Sequence, residues 1–366
     1  MGRAERLLRG IRRVEHEALR GFGHRELAQQ LIAELGKQIG FDAACVATLD
    51  PATVMWTSCE VSGARRDLAF EAKLFDVEYR RPDLAKLSDI AQRRVPIAVL
   101  SAETGGALER SERFRSVHAP AGLGDEIRLV MMDAGVPWGC VHLCRALDAR
   151  PFGAADADDL APLSARLARA FRLALLRMAM HSAPVDDAPA LGVLSMQGSA
   201  LAEASPEARE ILGSSIETSL PPAVHGLVVR AQAGMPARAM CPTASGEWAT
   251  LHATRLGGNV LIIVERARPI ELSAVVVRAL GLSARERSVV HAVVRGLSTK
   301  EIASRLGITE WTVQDHLKSI FAKANVTSRQ ALVAALFFGY WAPHHERGAL
   351  PSPGGHFLGS SSGKVG

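Results

Sequence analysis

Residues 282–336 read LSARERSVVHAVVRGLSTKEIASRLGITEWTVQDHLKSIFAKANVTSRQALVAAL, and this stretch decides the fold of the C-terminal part of the chain. Its helix start signals are Ser or Thr residues, most of them followed three positions later by Glu or Gln, as in a capping box. Glycines follow the first two helices and stop them. The pattern predicts four helices, which begin at Ser283 with Glu286, Ser298 with Glu301, Thr309, and Thr327 with Gln330.

The second and third predicted helices are joined by the short turn Gly307–Ile308–Thr309. Two short helices joined by a turn that contains glycine form a helix-turn-helix. Apolar residues recur on one face of each predicted helix, so the four helices are expected to share a core. The core residues predicted for the third helix are Val313, Leu317 and Ile320.

The quoted stretch resembles the LuxR-type output domain of bacterial transcription regulators along almost its whole length. The matching residues are Arg285–Glu286, Gly296, Lys300–Ala303, Leu306–Ile308, Thr312–Val313, His316–Lys318 and Ser328–Arg329. This resemblance implies an all-α, four-helix helix-turn-helix domain over residues 279–340 that binds double-stranded DNA. The resemblance therefore implies a transcription regulator.

The third helix, over residues 310–324, is expected to be the recognition helix in the major groove. With the apolar face inward, Gln314, Asp315 and Lys318 face outward, where the family makes base and phosphate contacts. Gln suits adenine, Lys suits guanine or phosphate, and Asp accepts from cytosine. Asp315 has two further interpretations, exclusion of wrong sequences and pairing with Lys318. The remaining predicted DNA-binding residues are Thr299, Lys300, Thr309, Thr312 and Lys323. For Trp311, core packing and contact with the DNA backbone both stay open.

The distribution of charge also points to the C-terminal part. The net charge of the chain is +5. Residues 279–340 hold eight Lys/Arg and four Asp/Glu, whereas residues 1–278 hold equal numbers of both. Attraction to phosphate requires a local excess of basic groups. We therefore expect the nucleic-acid surface to lie in residues 279–340.

The rest of the chain predicts α+β sensory domains. Residues 1–21 are predicted to form an N-terminal amphipathic helix, which spans residues 3–20. The apolar residues on one side of this helix are Leu7, Leu8, Ile11, Val14 and Leu19. Residues 22–180 resemble a GAF domain through LAQQLIAELGKQIGFDAACVATLD, GLGDEIRLVMMDAGVPWGCVHLCR and RPFGAADADDLAPLSARLARA. Residues 181–188 are interpreted as a linker, residues 189–268 resemble a degenerate PAS domain, and residues 343–366 are predicted to be disordered.

Cys140, His142 and Cys144 alternate along one predicted strand and invite a metal interpretation. Four residues of strand span about 13 Å, whereas two sulfurs on one zinc lie within roughly 4.6 Å of each other. We therefore expect these residues to pack in the interior, with a haem or thiol-sensing role as the alternative. No metal or cofactor is predicted, and no catalytic motif is found, so we expect a non-enzyme.

We expect a cytoplasmic protein, because five scattered cysteines suit free thiols and because no signal peptide or membrane span is apparent. The expected partners are DNA and a second copy of the chain, with RNA polymerase and an unidentified small-molecule ligand as further candidates. Helices 3–20 and 156–180 are the predicted dimer contacts, and packing of both on their own domain is the alternative. The competing hypothesis for function is an enzyme or ligand-binding protein whose helix-turn-helix contacts only proteins.

Overall fold

The computed structural model describes residues 2–63, 68–181, 191–217, 219–235, 237–243, 245–267, 280–324, 326–333, 350–351 and 357–358. The chain forms two compact units. The first unit comprises Met1–Leu175 with Ala190–Arg266, and the second comprises Leu176–Pro189 with Ala267–Gly366. Antiparallel sheets with helices make up the first unit and helices dominate the second, which confirms the predicted fold class.

The first sheet has five antiparallel strands in the order β2-β1-β5-β4-β3. The strands are β1 (Ala43–Leu49), β2 (Trp56–Ser62), β3 (Ile97–Val99), β4 (Leu123–Asp133) and β5 (Val136–Ala146). A turn at Ala134–Gly135 joins β4 to β5, and both of its residues have positive φ, 49° and 75°. Positive φ at both central residues matches the twist of a tight hairpin.

Helices cover both faces of this sheet. They are α1 (Arg3–Arg20), α2 (His24–Gly36), α3 (Leu68–Tyr79), α4 (Leu87–Ile90), α5 (Leu100–Thr104), α6 (Ala154–Leu160) and α7 (Ser164–His181). The apolar stripe of α1 is buried, but it ends at Ala18. The prediction for Leu19 was wrong, because Leu19 is 64% exposed. One helical residue rotates the side chain by about 100°, away from the face that holds Ala18.

Five charged side chains form a buried network between β4 and the segments that cover it. Arg113 binds Asp83 at 2.7 Å and Glu126 at 2.8 Å. Arg128 binds Glu78 at 2.8 Å and lies 3.5 Å from Glu126. All five side chains are at most 3% exposed. Removal of one partner from a buried ion pair leaves an unpaired charge, so this network specifies how α3 and the segment before β4 pack.

The second sheet repeats the strand order of the first. It comprises β6 (Gly192–Gln197), β7 (Ala200–Ala204), β8 (Ala237–Pro242), β9 (Trp248–Leu256) and β10 (Asn259–Arg266), in the order β7-β6-β10-β9-β8. Helices α8 (Pro206–Leu212) and α9 (Pro222–Gln232) pack on it. Met55, which precedes β2, is buried in the core of this second sheet. The two predicted sensory domains therefore share packing within one unit.

The helices of the second unit are α10 (Ala284–Val294), α11 (Thr299–Leu306) and α12 (Glu310–Ala324), and residues 329–333 begin a fourth helix. The predicted end of that fourth helix lies outside the described residues, as do residues 182–188 of the predicted linker. In the tail 343–366, only the strand pair Leu350–Pro351 and Phe357–Leu358 is described, so disorder there stays a prediction. Among the described residues, no helix is long and apolar enough to cross a membrane.

Candidate nucleic-acid interface

The helix starts predicted in the C-terminal part are present as hydrogen bonds. The Ser283 hydroxyl accepts from the Glu286 N–H at 3.2 Å, and the Ser298 hydroxyl accepts from the Glu301 N–H at 3.3 Å. Both glutamates complete a capping box. At the fourth helix, the Ser328 hydroxyl accepts from the Ala331 N–H at 3.0 Å, so the cap lies one residue after the predicted Thr327.

The helix-turn-helix is formed by α11, the turn and α12. Gly307 ends α11 in the left-handed conformation, at φ 65°. The Thr309 hydroxyl then accepts from the Thr312 N–H at 3.1 Å, which starts α12. Val313, Leu317 and Ile320 are buried, as predicted. Because these three residues point inward, the opposite face of α12 is presented to solvent.

The exposed face of α12 carries the residues predicted to contact bases. Gln314 and Lys318 are exposed, and Asp315 is half-buried. Among the described residues, no ion pair joins Asp315 to Lys318, so the pairing interpretation of Asp315 is not realised. Trp311 is 73% exposed, which excludes core packing and leaves its contact with the DNA backbone as the remaining interpretation.

The residues predicted to contact the DNA backbone lie at two places, the start of α11 and the start of α12. Lys300 is exposed in the first turn of α11. The hydroxyl of the neighbouring Thr299 accepts from the guanidinium of Arg329 at 3.4 Å. The Arg329 guanidinium also donates to the Leu297 carbonyl at 2.7 Å. Thr309 and Thr312 join their hydroxyls at 2.8 Å, at the start of α12. The two helix starts thus bring these predicted residues close to backbone N–H groups, which suit a phosphate.

Lys323 occupies a different environment from that of the other predicted residues. Its ammonium donates to both carboxylate oxygens of Glu286, at 2.7 and 2.8 Å. Burial by itself raises the pKa of Glu286, but the bonds from Lys323, Ser319 and Ser283 outweigh it and lower the pKa to about 2. Lys323 therefore ties α12 to α10, and its contact with DNA stays a prediction.

Sequence reasoning missed a basic groove on α10 and α11. Arg287, His291, Arg295 and Arg305 line this groove, which has a volume of about 430 Å³. The local excess of basic residues was the only signal for it, because the groove joins two helices that are separate in sequence. Its three arginines add to the positive potential of this domain.

Comparison with known proteins places the C-terminal part in a family. The model described as "Bacterial regulatory proteins, luxR family" matches residues 280–336. The nitrate/nitrite response regulator protein NarP of Escherichia coli is 48% identical over 50 residues, which cover 14% of this chain and 23% of NarP. The monoamine regulon transcriptional regulator of Klebsiella aerogenes is 42% identical over 66 residues, 18% of this chain and 27% of that protein.

The chain thus spans about a quarter of the length of both curated relatives. Among solved structures, the GAF domain of a phosphoenolpyruvate-protein phosphotransferase from Coxiella burnetii is similar at a TM-score of 0.30 and 12% identity. That similarity covers 45% of this chain and 92% of the solved domain. Residues 280–336 combine the family match with a capped helix-turn-helix. The C-terminal part of this chain therefore matches the luxR family of bacterial regulatory proteins over residues 280–336.

Proposed function

We propose that this chain is a transcription regulator that binds duplex DNA sequence-specifically, with α12 as the recognition helix. The observation that carries the proposal is the exposure of Gln314 and Lys318 on α12, opposite its buried face, within the segment that matches the luxR family. An α-helix fits the major groove of B-DNA, where every base pair presents a distinct pattern of donors and acceptors.

Each exposed residue of the interface has a chemical role in this proposal. The Gln314 amide can both donate and accept, which suits the N6 and N7 atoms of adenine, and Lys318 suits guanine or a phosphate. Asp315 can accept from cytosine, or it can exclude other sequences by repulsion. The exposed Lys300 and the helix starts at Thr299, Thr309 and Thr312 then bind phosphates, which fix the position on DNA and carry no sequence information.

A second copy of the chain is part of this proposal. One helix-turn-helix reads only a few base pairs, and such proteins commonly bind two half-sites roughly 34–36 Å apart. The apolar stripe of α1 is buried inside the chain, and so are Leu163 and Leu167 of the predicted helix 156–180, which are at most 1% exposed. We therefore place the dimer contact elsewhere on the surface. RNA polymerase and a ligand of the N-terminal sheets are the further proposed partners.

An electrophoretic mobility shift of the full-length protein on DNA from upstream of its own gene tests the proposal. The wild-type protein should shift this DNA and release it on addition of the same unlabelled fragment, but not of a scrambled one. The double variant Gln314→Ala, Lys318→Ala should lose the shift. Lys73→Ala, which removes an exposed lysine on α3, is the matched control and should bind as the wild type does.

Failure of the wild-type protein to prefer any sequence would favour the competing function, in which the helix-turn-helix contacts proteins only. A selection from random duplexes covers the case in which the upstream region holds no site. A protein that enriches no motif there, while circular dichroism shows it folded, would contradict the proposed function.

A further inference from the structure

A small cavity lies on the inner face of the first sheet. Its volume is about 50 Å³, and its lining includes His118, Glu126, His142 and Cys144. One water takes up about 30 Å³ in the liquid, and pockets for organic ligands commonly measure about 300–1,000 Å³. The cavity therefore suits an ion with one small ligand better than it suits an organic molecule.

Three side chains with metal-binding atoms converge there from three different elements. His118 ends the single turn of π-helix Phe114–His118, Glu126 lies on β4, and Cys144 lies on β5. Their ligand atoms all lie within 4.8 Å of one another. Two donors on a tetrahedral zinc are separated by roughly 3.6 Å, given bonds of about 2.0–2.3 Å. Small rotations of the three side chains would bring their ligand atoms from within 4.8 Å of one another to the separation of roughly 3.6 Å that zinc requires.

The register of the sheet explains how this set arises. Glu126 is the cross-strand partner of Cys144, and Arg128 is the partner of His142. Cys140 lies four residues from Cys144 along the same strand and does not belong to the set. The expectation that one straight strand cannot offer both cysteines to one ion therefore stands, whereas the neighbouring strand supplies a ligand set that this reasoning did not consider.

The two histidines present unpartnered nitrogens. His118 and His142 are at most 5% exposed, and His118 Nδ1 and His142 Nε2 make no hydrogen bond among the described residues. An imidazole nitrogen that makes no hydrogen bond can offer its lone pair to a metal ion. A neutral imidazole is the form that binds a metal ion.

Glu126 is held so that one oxygen is directed at the histidines. Arg113 binds Oε2 at 2.8 Å, and Oε1 lies 3.3 Å from His142 Nδ1 and 3.8 Å from His118 Nε2. Arg113 thus fixes the orientation of the carboxylate. Carboxylates that bind a metal are commonly held by hydrogen bonds of this kind.

The balance of charge favours a cation. The buried network contains three carboxylates, Glu78, Asp83 and Glu126, and two guanidiniums, Arg113 and Arg128. These five side chains together carry one net negative charge. Ionisation of the Cys144 thiol adds a second. A divalent cation neutralises both, and a buried charge that lacks a partner is costly.

We propose that His118, Glu126 and Cys144 bind one divalent transition-metal ion in the first sheet, with zinc as the best match, and that Arg113 orients Glu126. Sulfur, nitrogen and oxygen ligands together are typical of zinc. On binding, the Cys144 thiol releases its proton to solvent, and the fourth position opens into the cavity. This proposal does not depend on the proposed DNA binding. It makes a metal ion the ligand of the N-terminal half.

Titration of the chelator-treated, full-length protein with Co²⁺ tests the site, because a thiolate bound to Co²⁺ gives a near-ultraviolet charge-transfer band. One Co²⁺ per chain should produce this band, and Zn²⁺ should displace it. Cys144→Ser should abolish the band. His118→Gln, which removes a direct ligand, should weaken zinc binding by more than the roughly 10–100-fold that loss of an outer-shell partner costs. Cys140→Ser is the matched control, since it removes a buried thiol from the same strand, and it should leave the band unchanged.

Three results would overturn the proposal. The first is the absence of a band from folded wild-type protein. The second is a band that Cys144→Ser keeps or that Cys140→Ser loses. The third is an organic molecule that native mass spectrometry finds in the purified protein in place of a metal ion. Circular dichroism monitors folding, and if Cys144→Ser does not fold, His118→Gln decides through its zinc affinity.

Discussion

Lys323, near the end of α12, binds both carboxylate oxygens of Glu286, in the first turn of α10. The same carboxylate accepts from the Ser283 N–H at 2.6 Å and from the Ser319 hydroxyl at 2.6 Å. A single carboxylate thus caps one helix and fixes the position of another. The lysine that the sequence assigns to DNA has a structural role that the sequence alone did not indicate.

We predict that this ion pair makes the stability of the helical unit depend on acid pH. The folded pKa of Glu286 is about 2, against an ordinary value of 4.5. The stabilisation is therefore complete above about pH 4.5 and is lost as pH falls to about 2. Its size should be on the order of 2 kcal/mol, because the Lys323 side chain is 37% exposed and water screens the pair.

The measurement is the difference in unfolding free energy between the wild type and Glu286→Gln across pH. This difference should be largest near pH 7 and should vanish near pH 2. Glu301→Gln is the matched control, because Glu301 completes a capping box but makes no ion pair among the described residues. Equal pH dependence for both variants would contradict the assignment to Lys323.

We predict that Leu163→Lys with Leu167→Lys unfolds the N-terminal unit instead of producing a folded monomer. Both leucines are at most 1% exposed within a single chain. Two buried, unpaired ammonium groups cost several kcal/mol, against a typical domain stability of about 5–15 kcal/mol. Circular dichroism should show loss of structure. Leu19→Lys, at a leucine 64% exposed, should melt as the wild type does, and a folded double variant would refute the packing.

We predict that the packing of α9 against Met55 and Tyr79 stabilises the first unit. A Cβ at Gly226 would lie 2.5 Å from Met55 Cε and 3.1 Å from Tyr79 Cε2. Gly226→Val should therefore destabilise the protein by roughly 1–3 kcal/mol, through overpacking. Differential scanning calorimetry should show a lower midpoint for the first unit. Gly40→Ala, where a Cβ meets no atom within 4 Å, should not lower it in this way.

The C-terminal fold could be predicted because its signals are local. A capping pair lies within four residues of sequence, so Ser283, Ser298 and Thr309 identify their helix starts without knowledge of the tertiary structure. The fourth start was displaced by one residue, because Thr327 and Ser328 both offer a hydroxyl and only the backbone geometry selects Ser328.

The interior of the N-terminal unit could not be predicted in the same way. The pairing of Glu126 with Cys144 depends on strand register, and the approach of His118 depends on a turn that carries no sequence signature. Burial of the apolar residues of α7, such as Leu167, likewise depends on the tertiary structure, because it requires an apolar surface of the same chain beside the helix. A helix with an apolar stripe can bind its own domain or a second copy, and its sequence looks the same in both cases.

We predict that Gln314→Ala relaxes sequence preference more than it weakens binding. The amide reads base edges in the proposed complex, and a good bidentate contact is worth about 1–3 kcal/mol of discrimination. Fluorescence anisotropy on the selected site and on a site with one base pair changed should show a smaller ratio of affinities for the variant. Gln330→Ala, at an exposed glutamine on the fourth helix, should keep the wild-type ratio.

The salt dependence of DNA binding by full-length wild type, Lys318→Ala and Lys73→Ala tests the central claim most directly. Each phosphate contact adds about 0.9 to the slope of log affinity against log salt. Lys318→Ala should lower affinity and, if Lys318 meets one phosphate, reduce the slope by about 0.9, whereas Lys73→Ala should change neither. Unchanged affinity and slope for Lys318→Ala would contradict the placement of α12 on DNA.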